Sequence, residues 1–207
     1  MYNMRGYAFT EEENYYQTGI KYLEEVKKNL SAASELAENS DNLDFLKTKS
    51  GEAEGKVVEY EQLAKQTHDV NSNLQKAVVQ MNINAAAFIE MCELFLQDQQ
   101  RYLANEINAG DSRTALNERR RKIELMTAII NKGNLLRIEN FKAQAMRNPE
   151  SFQQALEGFN IDTELRDIRS ITYQSDHIQY LDKLELAARN YTQGMQNYLT
   201  NWFQREE

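Results

Sequence analysis

The stretch NKGNLLRIENF, residues 131–141, places an asparagine and an arginine where a helix is expected to continue its apolar stripe. Read at helical spacing, that stripe runs Leu116, Arg120, Ile123, Thr127, Ile130, Asn134, Arg137, Phe141. A guanidinium facing a bundle interior has two chemical uses. Paired with a carboxylate, or reaching water along its aliphatic stem, it is structural. Left without a protein partner, it offers a planar fork of donors to a carboxylate ligand, and Asn134 supplies a neutral donor or acceptor beside it.

Other chemistry is scarce. The sequence has no Gly-rich phosphate loop, no cysteine pair at zinc spacing and no serine nucleophile elbow. A di-iron bundle needs Glu-x-x-His pairs, but His68 follows Lys65 and His177 follows Gln174 at that offset. We therefore expect no enzyme, no metal and no cofactor. The single Cys92 cannot form an internal disulfide.

The elements that must position these residues are helices. Among 207 residues there is one Pro and eight Gly, so sharp turns are few. Stepping 3, 4, 3, 4 from Leu43 lands on Leu46, Ser50, Ala53, Val57, Tyr60, Ala64, Thr67, Asn71, Leu74, Val78, Met81, Ala85, Phe88, Cys92, Phe95, Gln99 and Tyr102. That is a coiled-coil-like seam. A helix over about 43–107 would be about 97 Å long, whereas a compact chain of this size has a radius of gyration of about 17 Å. An elongated molecule is expected. Before the seam, a first helix should run from near the first residue to about Glu38, with Tyr15, Tyr22, Val26, Leu30 and Ala33 on one face. Ser40 or Asp41 is the expected N-cap of the long helix. After the turn NAGDSRT, the next helix should end at Pro149 and a short one should cover about 150–158. A last helix of about 45 residues should carry Ile171, Ile178, Leu181, Ala188, Tyr191, Met195, Tyr198 and Trp202 as its stripe.

The expected fold is all-α: two stacked antiparallel helical bundles sharing long helices. Polar Thr67 and Asn71 mark the join. The upper bundle would hold about 9–70 plus 150–171, and the lower about 1–8, 71–147 and 172–207. Counting heights from the turns at about 1.5 Å per residue puts Arg137 level with about residue 83. The last helix would pass that height near Tyr173 to Asp182. Arg5, Asn82, Asn134, Arg137, Gln174 and His177 would then lie within about 10 Å in height, a candidate anion site unless Asp176 or Asp182 neutralises it.

Charge patterning sets limits. The net charge of −8 argues against a nucleic-acid binder. Residues 112–147 carry nine Lys or Arg against three Glu, and the run NERRRK reads as a solvated helix end with acidic neighbours. No apolar run reaches the length of a membrane span, and the first residues lack the features of a signal peptide.

MRGYAFTEEENYYQTGIKYLEEV resembles the RGY-x-x-T…Y helix of periplasmic sensor domains in bacterial chemoreceptors and sensor kinases. GNLLRIENFKAQAMRNPESFQQALEGF, followed by a long final helix, is similar to the second half of the helical bimodular sensor domains. The resemblance implies two stacked four-helix bundles between two transmembrane helices, with small organic acids bound through arginines, here matched by Arg5 and Arg137. It implies a small carboxylate as ligand, a homodimer, and a periplasmic domain of a membrane receptor joined to flanking membrane helices that this sequence does not contain. On this reading the chain is an excised sensor domain. The competing reading is a cytosolic helical scaffold or coiled-coil adaptor whose seam takes partner helices, with Arg137 in a structural ion pair.

Overall fold

A computed structural model describes residues 2–206. Among these the protein is all-α, with helices α1 (Tyr2–Thr10), α2 (Glu13–Glu38), α3 (Asp44–Ala109), α4 (Arg113–Met146), α5 (Pro149–Glu157), α6 (Asp162–Ser170) and α7 (Ser175–Glu206). The chain divides into two compact units, Met1–Asn73 and Leu74–Glu207. No helix among the described residues is long and apolar enough to cross a membrane.

In the first unit, the expected single helix to Glu38 is broken. Glu11 adopts φ 57° and its N–H donates to Tyr7 O at 2.8 Å, so α1 folds back along α2. The reversal lets Met4 and Tyr7 bury themselves with Tyr16. Two glycines permit the close approach: a Cβ on Gly6 would meet Tyr15 Cδ1 at 2.8 Å, and one on Gly19 would meet Met4 Sδ at 2.8 Å. His68 of α3 stacks on Tyr16 with centroids 4.0 Å apart and hydrogen-bonds Glu13 at 2.9 Å. Beyond this small core the α2 face is open, with Tyr22 and Val26 exposed. α3 begins at Asp44, so neither Ser40 nor Asp41 is its N-cap; Ser40 O accepts from Leu43 N in the turn instead.

The second unit is an antiparallel four-walled bundle. α3 and α4 run in opposite directions, because Gly133 packs against Phe88 and Asn140 reaches Met81. Ser112 caps α4, its Oγ accepting from Ala115 N. α4 ends at Met146, the chain turns through left-handed Arg147 at φ 51°, and Pro149 opens α5 rather than closing α4. Asn148 caps α5 through Ser151 N at 3.0 Å. α5 and α6 form the third wall and return along α4, with Lys132 bound to Glu164 and Arg121 facing Asp167. Residues 150–171, expected in the other bundle, thus belong here, and residues 1–8 belong to the first unit.

The expected 45-residue last helix is therefore two helices. Thr172 Oγ1 donates to Ile168 O at 2.7 Å inside the bundle, just past the end of α6 at Ser170. α7 then runs antiparallel to α3: His177 meets Asp98 and Asn190 meets Asn84. The expected descent of the last helix alongside α3 is reversed. From Leu74 to Gln99 the buried residues of α3 are Leu74, Met81, Ala85, Phe88, Cys92, Phe95 and Gln99, all on the seam. α7 buries Leu181, Ala188, Tyr191, Met195, Tyr198 and Trp202 of its expected stripe, and also His177, Leu184, Gly194 and Leu199 beside it, while Ile178 is half-buried. Burial pushes the Cys92 thiol up to about 12, so it packs as a small apolar group.

Candidate functional site

α4 faces the bundle through residues other than those of the expected stripe. Its buried residues are Arg119, Lys122, Leu125, Met126, Ile129, Gly133, Leu136, Asn140 and Ala143. Asn134 is exposed and Arg137 is half-buried. The cations inside the bundle are Arg119 and Lys122, which stand three residues apart and so share a face.

Arg119 meets two polar seam positions of α3, Gln99 and Tyr102, flanked by Asp98 and Glu106. Arg119 Nε and Nη2 donate to Glu106 Oε1 at 3.1 and 2.6 Å, and Nη1 donates to Gln99 Oε1. Its guanidinium lies 4.9 Å from the Tyr102 ring centroid, a cation–π contact. From α7, His177 sets its ring edge-on to Tyr102 at 5.2 Å. Its Nε2 lies 3.1 Å from Asp98 Oδ2, and Asp98 also takes Arg101. An ionised carboxylate only accepts, so Nε2 carries the hydrogen and a neutral ring leaves Nδ1 bare.

The layer is incompletely satisfied. Gln99 Nε2 and His177 Nδ1 are buried with no hydrogen-bond partner. Lys122 is 6% exposed and forms no ion pair with any described residue. Burial, then the charge of Arg119, lowers its pKa. Buried polar groups without partners are rare and costly; two of the three such atoms among the described residues lie in this layer, the third being Glu164 Oε2.

Burial also pushes His177 below its usual value. The Asp98 hydrogen bond and charge oppose that shift, whereas Arg119 and Lys122 add to it. The folded protein thus binds this proton less readily than the unfolded chain. Stability linked to His177 is full above the unfolded pKa near 6.5 and is lost as pH falls through the lower folded value. Urea midpoints measured from pH 8 to 5 should fall more steeply in the parent than in His177→Gln. The difference should be at most about 1.4 kcal/mol per pH unit; equal slopes would remove His177 from the acid response.

Of the six residues expected to converge, His177 alone joins this layer. Arg5 is exposed in the other unit. Asn82, Asn134 and Gln174 are exposed, and Gln174 contributes only its carbonyl, to Ile178 N. Arg137 lies where expected along α3, between the Phe88–Gly133 and Met81–Asn140 contacts. At that height α7 presents Tyr191, whose hydroxyl donates to Gly133 O at 3.1 Å and whose pKa is raised by burial, with Arg137 a smaller opposing effect. His177 stands fourteen residues earlier on α7, about 21 Å away. Sequence reading missed Asp98, Glu106, Arg119 and Lys122; the polar seam positions Gln99 and Tyr102 were the available signal.

Among the described residues no group of three or more His, Cys, Asp or Glu could hold a metal ion. Neither a protein-family model nor any curated protein or solved structure matches the chain. Fold and site together define an all-α bundle with a partly unsatisfied polar layer in its interior.

Proposed function

We propose that the chain is a ligand-sensing domain of the chemoreceptor and sensor-kinase type, working outside the cytoplasm and taking a small organic anion into the Arg119, Lys122 and His177 layer. One observation carries the reading: the layer holds two partnerless buried atoms, Gln99 Nε2 and His177 Nδ1, beside Lys122, a largely buried residue in no ion pair with any described residue. A carboxylate would accept from Lys122 and Gln99, and from Nδ1 once His177 is protonated. The resemblance of the two quoted stretches to sensor domains supports the same reading. The layer joins α3, α4 and α7, so a ligand that prefers one packing of these helices over another shifts them by its differential affinity. Displacements of 1–2 Å between helices are a known switching mode.

The test is a thermal-shift screen with acetate, succinate, malate and citrate on the parent, Lys122→Met and Arg137→Ala. A carboxylate at about 100 times its Kd adds about 2.7 kcal/mol. That gain should vanish in Lys122→Met and persist in Arg137→Ala. Without ligand, Lys122→Met should melt no lower than the parent, because it keeps the apolar stem and removes a charge disfavoured by burial and by Arg119. A carboxylate response that survives Lys122→Met places the ligand elsewhere.

A scaffold function has one observation in its favour. In the first unit a groove of about 410 Å³ between α2 and α3 is walled by Tyr22, Leu23, Val26, Val57, Tyr60 and Leu63. If no carboxylate shifts the parent, the groove becomes the stronger lead, as a seat for a partner helix.

A further inference from the structure

The third wall of the second unit is interrupted between α5 and α6, and beside the gap lies a cleft of about 540 Å³, within the size range of small-molecule sites. Leu135, Leu136, Ala155 and Phe159 form its apolar sides. Leu135 is 57% exposed although it faces this space. The cleft is distinct from the polar layer at His177 and does not depend on a ligand there.

Its polar groups are sorted by sign along its length. At the end by the gap, Lys132 Nζ donates to Asn160 O at 2.8 Å and Glu164 Oε1 at 2.7 Å. An ammonium has three donors, so one remains. Asn160 Oδ1 accepts from Asp162 N, and its Nδ2 has no partner among the described residues. This end offers donors from Lys132 and Asn160, beside the Glu164 carboxylate that pairs with Lys132 and whose Oε2 is buried without a partner. Seven residues on, Glu139 accepts from Lys142 with one oxygen at 2.7 Å and keeps the other, on the cleft that Gln154 also lines. The Glu139–Lys142 pair is exposed and weak, hence easily exchanged. This end offers a carboxylate.

Lys132 and Glu139 are about 10.5 Å apart along α4. One extended residue spans about 3.5 Å and two span about 7 Å; with a hydrogen bond of about 2.8 Å at each end the totals are about 9 and about 13 Å, on either side of that separation. We infer that the cleft binds a small zwitterion with an apolar body, an amino acid or a dipeptide, its carboxylate at Lys132 and Asn160 and its ammonium at Glu139. A free amino acid shares the chemistry and is the shorter occupant.

Calorimetric titration with leucyl-leucine and with L-leucine tests this on the whole chain. Either zwitterion should bind, and the tighter of the two identifies the source. N-acetyl-leucyl-leucine and leucyl-leucine amide, each lacking one charge, should bind at least about tenfold more weakly than leucyl-leucine. Glu139→Gln should weaken leucyl-leucine while leaving the N-acetyl compound unchanged. Leu135→Asp, at an exposed position, should keep the parent's melting temperature and lose binding. Absence of heat with both zwitterions, equal affinity for the capped compounds, or undiminished binding in Leu135→Asp would each overturn the assignment.

Discussion

Replacing Glu106 with leucine is expected to lower the unfolding free energy by about 3–5 kcal/mol. The Arg119 side chain is 8% exposed and Glu106 16% exposed, so both charges have left most of their water behind. Their attraction, with Gln99 and Tyr102 completing the guanidinium's contacts, offsets that loss. Without the carboxylate, Arg119 keeps one amide oxygen and a ring face, and its charge remains buried. The double replacement Glu106→Leu with Arg119→Leu should return to within about 1 kcal/mol of the parent, or exceed it, since apolar pairs of similar volume often replace buried ion pairs without loss. Urea unfolding at neutral pH, followed by helical circular dichroism, measures all three chains. A loss under about 1 kcal/mol for Glu106→Leu alone would mean that water screens the pair, as it does at exposed sites.

Phe88→Ala should cost about 3–5 kcal/mol, the usual range for a buried phenylalanine. Phe88 is fully buried, and its ring stacks on Tyr191 with centroids 5.1 Å apart and planes 10° from parallel. The same ring explains Gly133. A Cβ there would lie 2.7 Å from Phe88 Cε1, and a ring clamped against Tyr191 cannot yield. Glycine to alanine inside a helix ordinarily gains about 1 kcal/mol; here overpacking should reverse the sign, for a net loss of about 1–3 kcal/mol. With Phe88 already truncated, the added methyl enters vacated space. Gly133→Ala should then recover stability in the Phe88→Ala background, giving a large coupling in a double-mutant cycle. Additive losses would mean that the two side chains do not meet.

Much of the architecture could be read in advance. The seam of α3 and the stripe of α7 follow from spacing alone, because each presents one apolar face. α4 misled because it is apolar on more than one side: Leu135, Ile138 and Phe141 are large and exposed, while Gly133, a core position, contributes nothing to a hydropathy pattern. The stripe through Ile130 and Phe141 puts Arg137 inside and Arg119 outside, whereas in the structure Arg119 is buried and Arg137 half-buried. The run NERRRK reads as a solvated helix end, yet the spacing of three between Arg119 and Lys122 puts both on one face, and both are buried. The breaks at Glu11 and Thr172 carry neither proline nor glycine. They arise from tertiary packing, Met4 and Tyr7 finding α2 in one case and α6 returning along α4 in the other. The direction of α7, and with it the company of His177, depended on the second break.

The bundle's connectivity has a kinetic side. α4 packs on α5 and α6, and these pack on α7, so three of the four walls in the second unit meet neighbours close in sequence. The fourth seam, α3 against α7, joins positions such as Asn84 and Asn190, 106 residues apart. Closing a loop of that length carries the largest entropic penalty among these contacts, and topology of this kind orders assembly. Folding should zip α4 through α7 first and shut against α3 last. The seam that shuts last is also the one that carries the His177–Asp98 contact.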